Sequence, residues 1–431
     1  MNRFLSEILA ALFLLVTALS GCGSTSDKQE ITVAKSSLSR VTDPQVSAAD
    51  GATLAAGNQA FAIDAYHKLT AEKDNLVFSP ASISIALAMT YAGAAGTTAS
   101  EMAAALHFDL PAAQLHPAFN AMDLALSQRG DGKLGADGGP MRLHVVNAAW
   151  AERTYTFRSE YLDVLGANYG AGVNLLDFIG APEPARLTIN DWVAEKTENR
   201  IKDLLPAGSI DSLTRLVLTN AVYFNAAWKT PFDPQDTFDG SFKTLAGNSL
   251  KTKMMSATFG QAASVQGIGY TAVALPYQDE RLSMLFVVPD EGTFSAFEAS
   301  LDGTKLDSIV ASLTSQQVIL GLPRFRVETS ADLVSVLQSL GMQAAFKADL
   351  ADFSGMDGTK DLHITSVLHK AFIDVAEKGT EAAAATAVVA SATGMPTGLR
   401  ITADRPFLYF LRDQPTGAIL FMGRVLDPTA K

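Results

Sequence analysis

The sequence predicts one α+β domain with several mixed or antiparallel sheets. Three observations carry this. Apolar runs of strand length recur at residues 141–151, 213–224, 282–289 and 362–376, with helically spaced segments between them. No internal repeat is present, and no linker of domain-boundary quality follows residue 52. Hydrophobic residues make up 48% of the 431, ample for a sizeable core.

Residues 1–52 stand apart. Met1-Asn2-Arg3 gives a short positive start, and residues 8–19 are an apolar run too short to span a bilayer comfortably. The run ends in Leu19-Ser20-Gly21-Cys22, which is similar to the lipobox of bacterial lipoproteins. There, small residues admit the signal peptidase to the bond before the cysteine, whose thiol receives a diacylglyceryl group. The expectation is a signal peptide over 1–21, a lipid anchor on Cys22 and a flexible tether over 22–52, rich in Ser, Thr, Asp, Lys and Gln. The alternative is a plain signal peptide that happens to contain a cysteine. Lipidation implies a cell-envelope protein facing outside the cytoplasm, with Gly23 leaning toward the outer membrane or cell surface in a two-membrane host. Cys22 is the only cysteine, so its lipidation would also remove disulfide, thiolate-metal and nucleophilic-cysteine chemistry.

From residue 53 onward the elements follow in order. Phe61, Ala65 and Leu69 mark a helix over 54–69. Leu76-Val77-Phe78 is a short strand, after which Ser79 fits a helix N-cap and Pro80 the first helical position. Ile83, Ala86, Leu87, Thr90 and Tyr91 give that helix a buried stripe, so Ser79, Ser82 and Ser84 need hydrogen-bond partners. The glycine-rich 130–139 reads as a solvated loop, because Asp131 and Asp137 lack calcium-loop spacing. A strand over 141–151, a helix over 188–204 and strands over 213–224, 282–289 and 318–326 follow. Residues 330–340 are a helix closed by Gly341, and 362–376 are strand. Strands over 407–411 and 418–425 end the chain.

Charge and motifs exclude several classes. The formal charge of −12 argues against nucleic acid and against a heparin-type polyanion, and residues 74–128 contain no Lys or Arg. No G-x-S-x-G elbow, Walker loop or H-E-x-x-H is present. Gly267-Ile268-Gly269 begins a dinucleotide-like pattern, but Val273-Ala274-Leu275-Pro276 continues it as strand rather than helix. The six histidines are dispersed without metal-ligand spacing. No metal, no cofactor and no enzymatic activity are expected.

One stretch is left over, residues 377–400, EKGTEAAAATAVVASATGMPTGLR. Its alanines favour helix, while Thr386, Val388 and Val389 favour strand. At period two, Thr380, Ala382, Ala384, Thr386, Val388 and Ala390 share one face, all small or apolar. Such a segment can be a loop in one state and a strand in another; an alanine-rich linker is the plainer alternative.

Several stretches together, covering roughly 54 to 428, resemble the serpin family. They are NLVFSPASISIALAMTYAGAAGTT at 75–98, LTNAVYFNAAWKTPFD at 218–233, LPRFRVE at 322–328, HKAFIDVAEKGTEAAAAT at 369–386, and DRPFLYFL with FMGRVLDP near the end. The resemblance implies three β-sheets, eight or nine helices and an exposed reactive loop near the C-terminus. It implies suicide inhibition of a serine protease, which cleaves the loop, is acylated and is trapped as the loop inserts into the central sheet. The hinge would comprise Glu377, Gly379, Thr380, Ala382, Ala384 and Thr386. Ser79, Ser82, Asn220 and His369 would form a buried shutter cluster, Trp228 would mark the breach where insertion begins, and Glu377 would pair with Arg324. Counting from the hinge puts the cut at Thr393–Gly394; counting back from Arg405-Pro406-Phe407 puts it at Met395–Pro396. Neither site offers Arg or Lys before the cut, which points to an elastase-, subtilisin- or chymotrypsin-like target, with a papain-like one as a further option. A monomer is expected. The rival is a non-inhibitory serpin acting as a binding or carrier protein.

Overall fold

The computed structural model describes residues 28–70, 74–381 and 398–430. The signal peptide, Cys22 and the loop positions Ala382, Ala384, Thr386, Thr393, Gly394, Met395 and Pro396 lie outside them.

The first element is β1 (Thr32–Ala34), followed by α1 (Ala48–Leu69), whose N-cap Ser47 accepts from the Asp50 N–H. Then come β2 (Leu76–Phe78), α2 (Pro80–Tyr91), α3 (Gly96–Leu106) and α4 (Ala112–Ser127). The middle of the chain adds β3 (Arg142–Glu152), α5 (Ser159–Tyr169), β4 (Val173–Leu176), α6 (Pro182–Lys196), β5 (Leu216–Ala227), β6 (Phe238–Lys243), β7 (Ser249–Gly267), β8 (Tyr270–Pro276) and β9 (Leu282–Pro289). After α7 (Phe294–Ala299) and α8 (Gly303–Ala311) come β10 (Thr314–Pro323), β11 (Phe325–Asp332), α9 (Val334–Ser339) and α10 (Ser354–Asp357). The last strands are β12 (Ile364–Ala376), β13 (Gly379–Thr380), β14 (Leu399–Thr402), β15 (Phe407–Asp413) and β16 (Ile419–Val425).

The strands form a seven-stranded sheet, β1-β4-β3-β5-β13-β12-β11, and a nine-stranded one, β14-β10-β7-β8-β9-β15-β16-β2 with β6 on β7. The third sheet that the sequence implied is the β14-β10-β7-β6 end of the second. The 19-residue β7 runs through both parts and joins them. Ten α-helical segments are present among the described residues, three of them only four to six residues long.

Two cores flank the seven-stranded sheet, as strand alternation requires. Val146, Trp150, Tyr223, Leu368 and Phe372 face α6 through Ile189 and Val193. Leu218, Val222, Val367, Ala371 and Ile373 face the larger core shared with α2 and the second sheet. β5 is buried on both faces along nearly its whole length, hence its continuous apolar run.

Four expectations are corrected. Residues 28–47 are not a flexible tether. β1 adds antiparallel to β4, the Gln29 amide donates to the Asp177 and Ala181 carbonyls, and Arg40 donates to Asn120 and Asp123. A free sheet edge and buried polar acceptors give this polar segment partners, which composition alone does not show. The helix expected over 188–204 is Pro182–Lys196, because Glu198 and Asn199 take left-handed φ of 50° and 61°. The strand over 318–326 breaks at Arg324 into β10 and β11, which belong to different sheets. β11 then continues to Asp332, so the helix after it starts only at Val334. The 130–139 loop is solvated as expected, with residues 131–134, 137 and 138 exposed, and is anchored where the Gly130 and Ala136 N–H groups donate to the Asp279 and Asn225 side chains.

Candidate functional site

The site is the seam between β5 and β12. These strands pair in parallel from Ile364 beside Leu216 up to Ala371 beside Val222. Farther along, β13 lies between them, with Thr380 opposite Val375 on one side and Ala226 on the other. Residues 372–374 of β12 and 223–225 of β5 lie between these two regions and make no rung to each other. The seam is therefore closed below, open for a short stretch, and occupied at its mouth by the first two residues of a would-be strand.

Sequence dictates the mouth. Gly379 has φ of +154°, and a Cβ there would stand 2.0 Å from the Ala226 carbonyl oxygen, so only glycine fits. Thr380 is 1% exposed, and its hydroxyl meets the Tyr277 hydroxyl at 2.6 Å. Trp228 lies against the mouth. Its backbone N–H donates to Lys378 O at 2.8 Å, its indole N–H to Ala376 O at 3.0 Å, and its ring stacks on Tyr277 at 4.4 Å. The predicted Glu377–Arg324 pair forms, with Arg324 Nε 2.7 Å and Nη2 2.5 Å from Oε1. Thr237 donates to the same oxygen at 2.6 Å. The pair is asymmetric: the Glu377 side chain is 7% exposed, the Arg324 side chain 46%. Burial pushes the Glu377 carboxyl up, but the donors from Arg324 and Thr237 outweigh it and leave it below the usual carboxylate range.

Ser79, Ser82, Asn220 and His369, the residues expected at the shutter, lie in one hydrogen-bonded cluster under the closed part of the seam. Asn147, Asn220 and His369 stand in register across β3, β5 and β12. The Ser79 N–H donates to His369 Nε2 at 3.2 Å, which leaves the proton on Nδ1, donating to Asn220 Oδ1 at 2.5 Å. The Asn220 amide in turn donates to Ser82 Oγ and, at 2.5 Å, to Asn147 Oδ1. The Ser82 hydroxyl donates to Asn147 Oδ1 at 3.0 Å. Burial lowers the His369 pKa to about 3, so the imidazole is neutral. Ser79 occupies the N-cap position, but its hydroxyl caps nothing. Asn147 escaped the sequence reading because its strand places it among buried apolar residues with no motif around it. Its pairing opposite Asn220 was the available signal.

Among the described residues, no group of three or more His, Cys, Asp or Glu is arranged to hold a metal. What the geometry can do is mechanical. The central strands close over a neutral polar cluster, and a two-residue strand, β13, stands between them at the open end.

Comparison with known proteins gives the family. The model described as "Serpin (serine protease inhibitor)" matches residues 56–428. Leukocyte elastase inhibitor A of Rattus norvegicus is 38% identical over 388 residues, covering 87% of this chain and 99% of its own. A serpin-like protein of Thermococcus kodakarensis is 40% identical over 371 residues, covering 85% and 84%. Among solved structures, native tengpin, a thermophilic serpin, aligns with TM-score 0.79 at 27% identity over 91% of this chain and 97% of its own. Thyroxine-binding globulin in complex with thyroxine aligns at 0.77 and 28%, over 88% and 100%. The chain belongs to the serpin family. Its class is accordingly serine protease inhibition rather than catalysis.

Proposed function

We propose that this chain is a suicide inhibitor of an elastase-, subtilisin- or chymotrypsin-like serine endopeptidase. The protease cleaves the loop at Thr393–Gly394 (Met395–Pro396 is the alternative), is acylated, and the loop enters the β5–β12 seam as a new strand. The observation that carries this reading is the seated Gly379–Thr380 rung. Thr380 opposes Val375 and Ala226. Six residues farther along both antiparallel registers, Thr386 would come opposite His369 and Asn220. Insertion would then part the His369–Asn220 hydrogen bond, and the Thr386 hydroxyl could take it over. No proline interrupts 377–395, so every N–H can join a ladder. The inward residues Ala382 and Ala384 are small enough to pass the core.

Serpin loop insertion is an established case of strand addition. On the order of ten net hydrogen bonds at ~1 kcal/mol each would give ~10 kcal/mol here. A ~1 Å displacement in the dragged protease's active site can slow deacylation roughly 100-fold, so the acyl bond persists.

The test is to incubate the mature protein with elastase, subtilisin, chymotrypsin, trypsin and papain and look for an SDS-stable complex. Loop cleavage with full protease activity throughout would count against inhibition. Thr386→Arg should turn inhibitor into substrate; unchanged complex stoichiometry in that variant would rule out insertion through this hinge. Thyroxine-binding globulin, which aligns over its whole length, favours a carrier as the second reading. A ligand bound with no complex formed would select it.

We further propose that the protein acts as a monomer lipidated on Cys22 and held at the cell envelope. Labelled fatty acid should enter wild type but not Cys22→Ser. Equal labelling of both would remove the anchor.

A further inference from the structure

On the face of the seam opposite the shutter lies the segment that follows α6. Three of its residues, Glu198, Asn199 and Asp203, hold left-handed φ of 50°, 61° and 51° without being glycine. It is tied to both sides of the seam. Arg142 of β3 pairs with Glu198, and the guanidinium groups of Arg142 and Arg200 both lie over the Tyr223 ring of β5. On the far side, Lys370 of β12 donates to Lys202 O at 3.1 Å. This strap also reaches the hinge, where Arg200 Nε donates to Glu381 Oε1 at 2.7 Å.

Glu381 follows the last seated residue, Thr380. Its N–H continues the ladder to Asp374 O at 2.6 Å, but its φ is +59°. That left-handed turn steers the chain out of the seam, and it is unfavourable for glutamate. Two contacts hold it there besides the ion pair. The Asn225 amide donates to Glu381 O at 3.1 Å and reaches Oε2 at 3.4 Å. Asn225 is the residue of β5 that an extended Glu381 would face in the ladder, so its side chain now takes a carbonyl that a lengthened β13 would have to reorient.

We propose that Arg200 and Asn225 clasp Glu381 as a latch that stops the hinge after Thr380. The latch rests on the insertion reading above, and adds to it a named positioning pair that sets how fast insertion starts. For β13 to lengthen, Glu381 must move from φ +59° to extended geometry and surrender both contacts. Charge makes the latch sensitive to salt, because the Arg200 side chain is half-exposed and its attraction is screened by added ions.

The test uses the full chain and its Arg200→Ala and Glu381→Gln variants. The loop is cut by a protease between residues 387 and 397, and insertion is followed by stopped-flow tryptophan fluorescence, in which Trp228 reports from the hinge while Trp150 and Trp192 pack on each other elsewhere, with the rise in unfolding temperature as end point. At low salt both variants should insert about 2- to 5-fold faster than wild type, the range expected for a partly exposed ion pair. Raising NaCl from about 0.05 to about 1 M should accelerate wild type toward the variants and leave Arg200→Ala unmoved. A purely structural role for Arg200 would not produce that salt difference. Equal or slower insertion in both variants, with wild type inserting normally, overturns the latch and leaves the inhibitor reading intact. Absence of any fluorescence change or thermal gain in cleaved wild type overturns insertion and the latch with it. Glu381→Gln keeps the proposal open to refutation should Arg200→Ala fold poorly.

Discussion

His369 should make this protein lose stability as pH falls, and the loss can be isolated. In the unfolded chain a histidine takes up its proton near pH 6.5; in the folded protein burial holds that back to about pH 3. Between these values the unfolded state binds more protons, so stability drops by about 1.4 kcal/mol for each pH unit below 6.5. By about pH 5 the contribution is about 2 kcal/mol. Burial also lowers His116 to about 4 and, with Arg215 nearby, lowers His363, so the wild-type slope contains all three residues. The variant His369→Gln removes one of them. It also loses hydrogen bonds to Ser79 and Asn220, at a cost of about 1–3 kcal/mol that does not depend on pH. Urea unfolding of both proteins at about pH 7.5, 6 and 5 gives the test. The stability gap should be largest at neutral pH and shrink by about 2 kcal/mol toward pH 5, because only wild type is destabilised there by His369. A gap that stays constant would mean that the imidazole is already charged, or reached by water, and the neutral-shutter argument would fail.

Two further outcomes are expected. Arg324→Ala leaves the Glu377 carboxylate buried with Thr237 as its side-chain donor, and should cost about 1–2 kcal/mol at neutral pH. Because the folded Glu377 value is depressed, that contribution is present above about pH 4.5 and vanishes on further acidification; a variant equally destabilised at low pH would contradict the assignment. Gly379→Ala should unseat β13, since the new methyl meets the Ala226 carbonyl at 2.0 Å. The expected sign is a change in Trp228 emission before any protease is added, and an unchanged spectrum would count against the seated hinge.

Much of the fold was legible because its strands are long and apolar. The 282–289 strand matches to the residue, and 362–376 misses by two at one end. What was not legible depended on partners distant in the chain. The polar residues 28–47 look like tether until β4 offers an edge and Asn120 and Asp123 offer acceptors to Arg40. The change of sheet at Arg324 leaves no mark on the alternation of β10 and β11. In the site, motifs singled out Ser79, Ser82, Asn220, His369, Trp228, Arg324 and Glu377, which the structure places along one seam. Asn147, Tyr277 and Arg200 were not, since each matters only through what it touches across the sheet.

The docking of residues 28–47 also changes what the proposed anchor would be attached to. From Cys22 to Lys28 is six residues, a reach of at most ~20 Å. A domain on so short a leash would ride close to the bilayer, with little freedom to turn. A tug on the lipid would arrive first at Lys28 and Gln29, which are tied to Asp191, Thr188, Asp177 and Ala181, and then at β1, at the rim of the seven-stranded sheet, where β1 holds β4 along only Thr32, Val33 and Ala34. Once those ties gave way the three rungs of β1 would bear the load, so the membrane attachment would be a mechanical handle on the seven-stranded sheet.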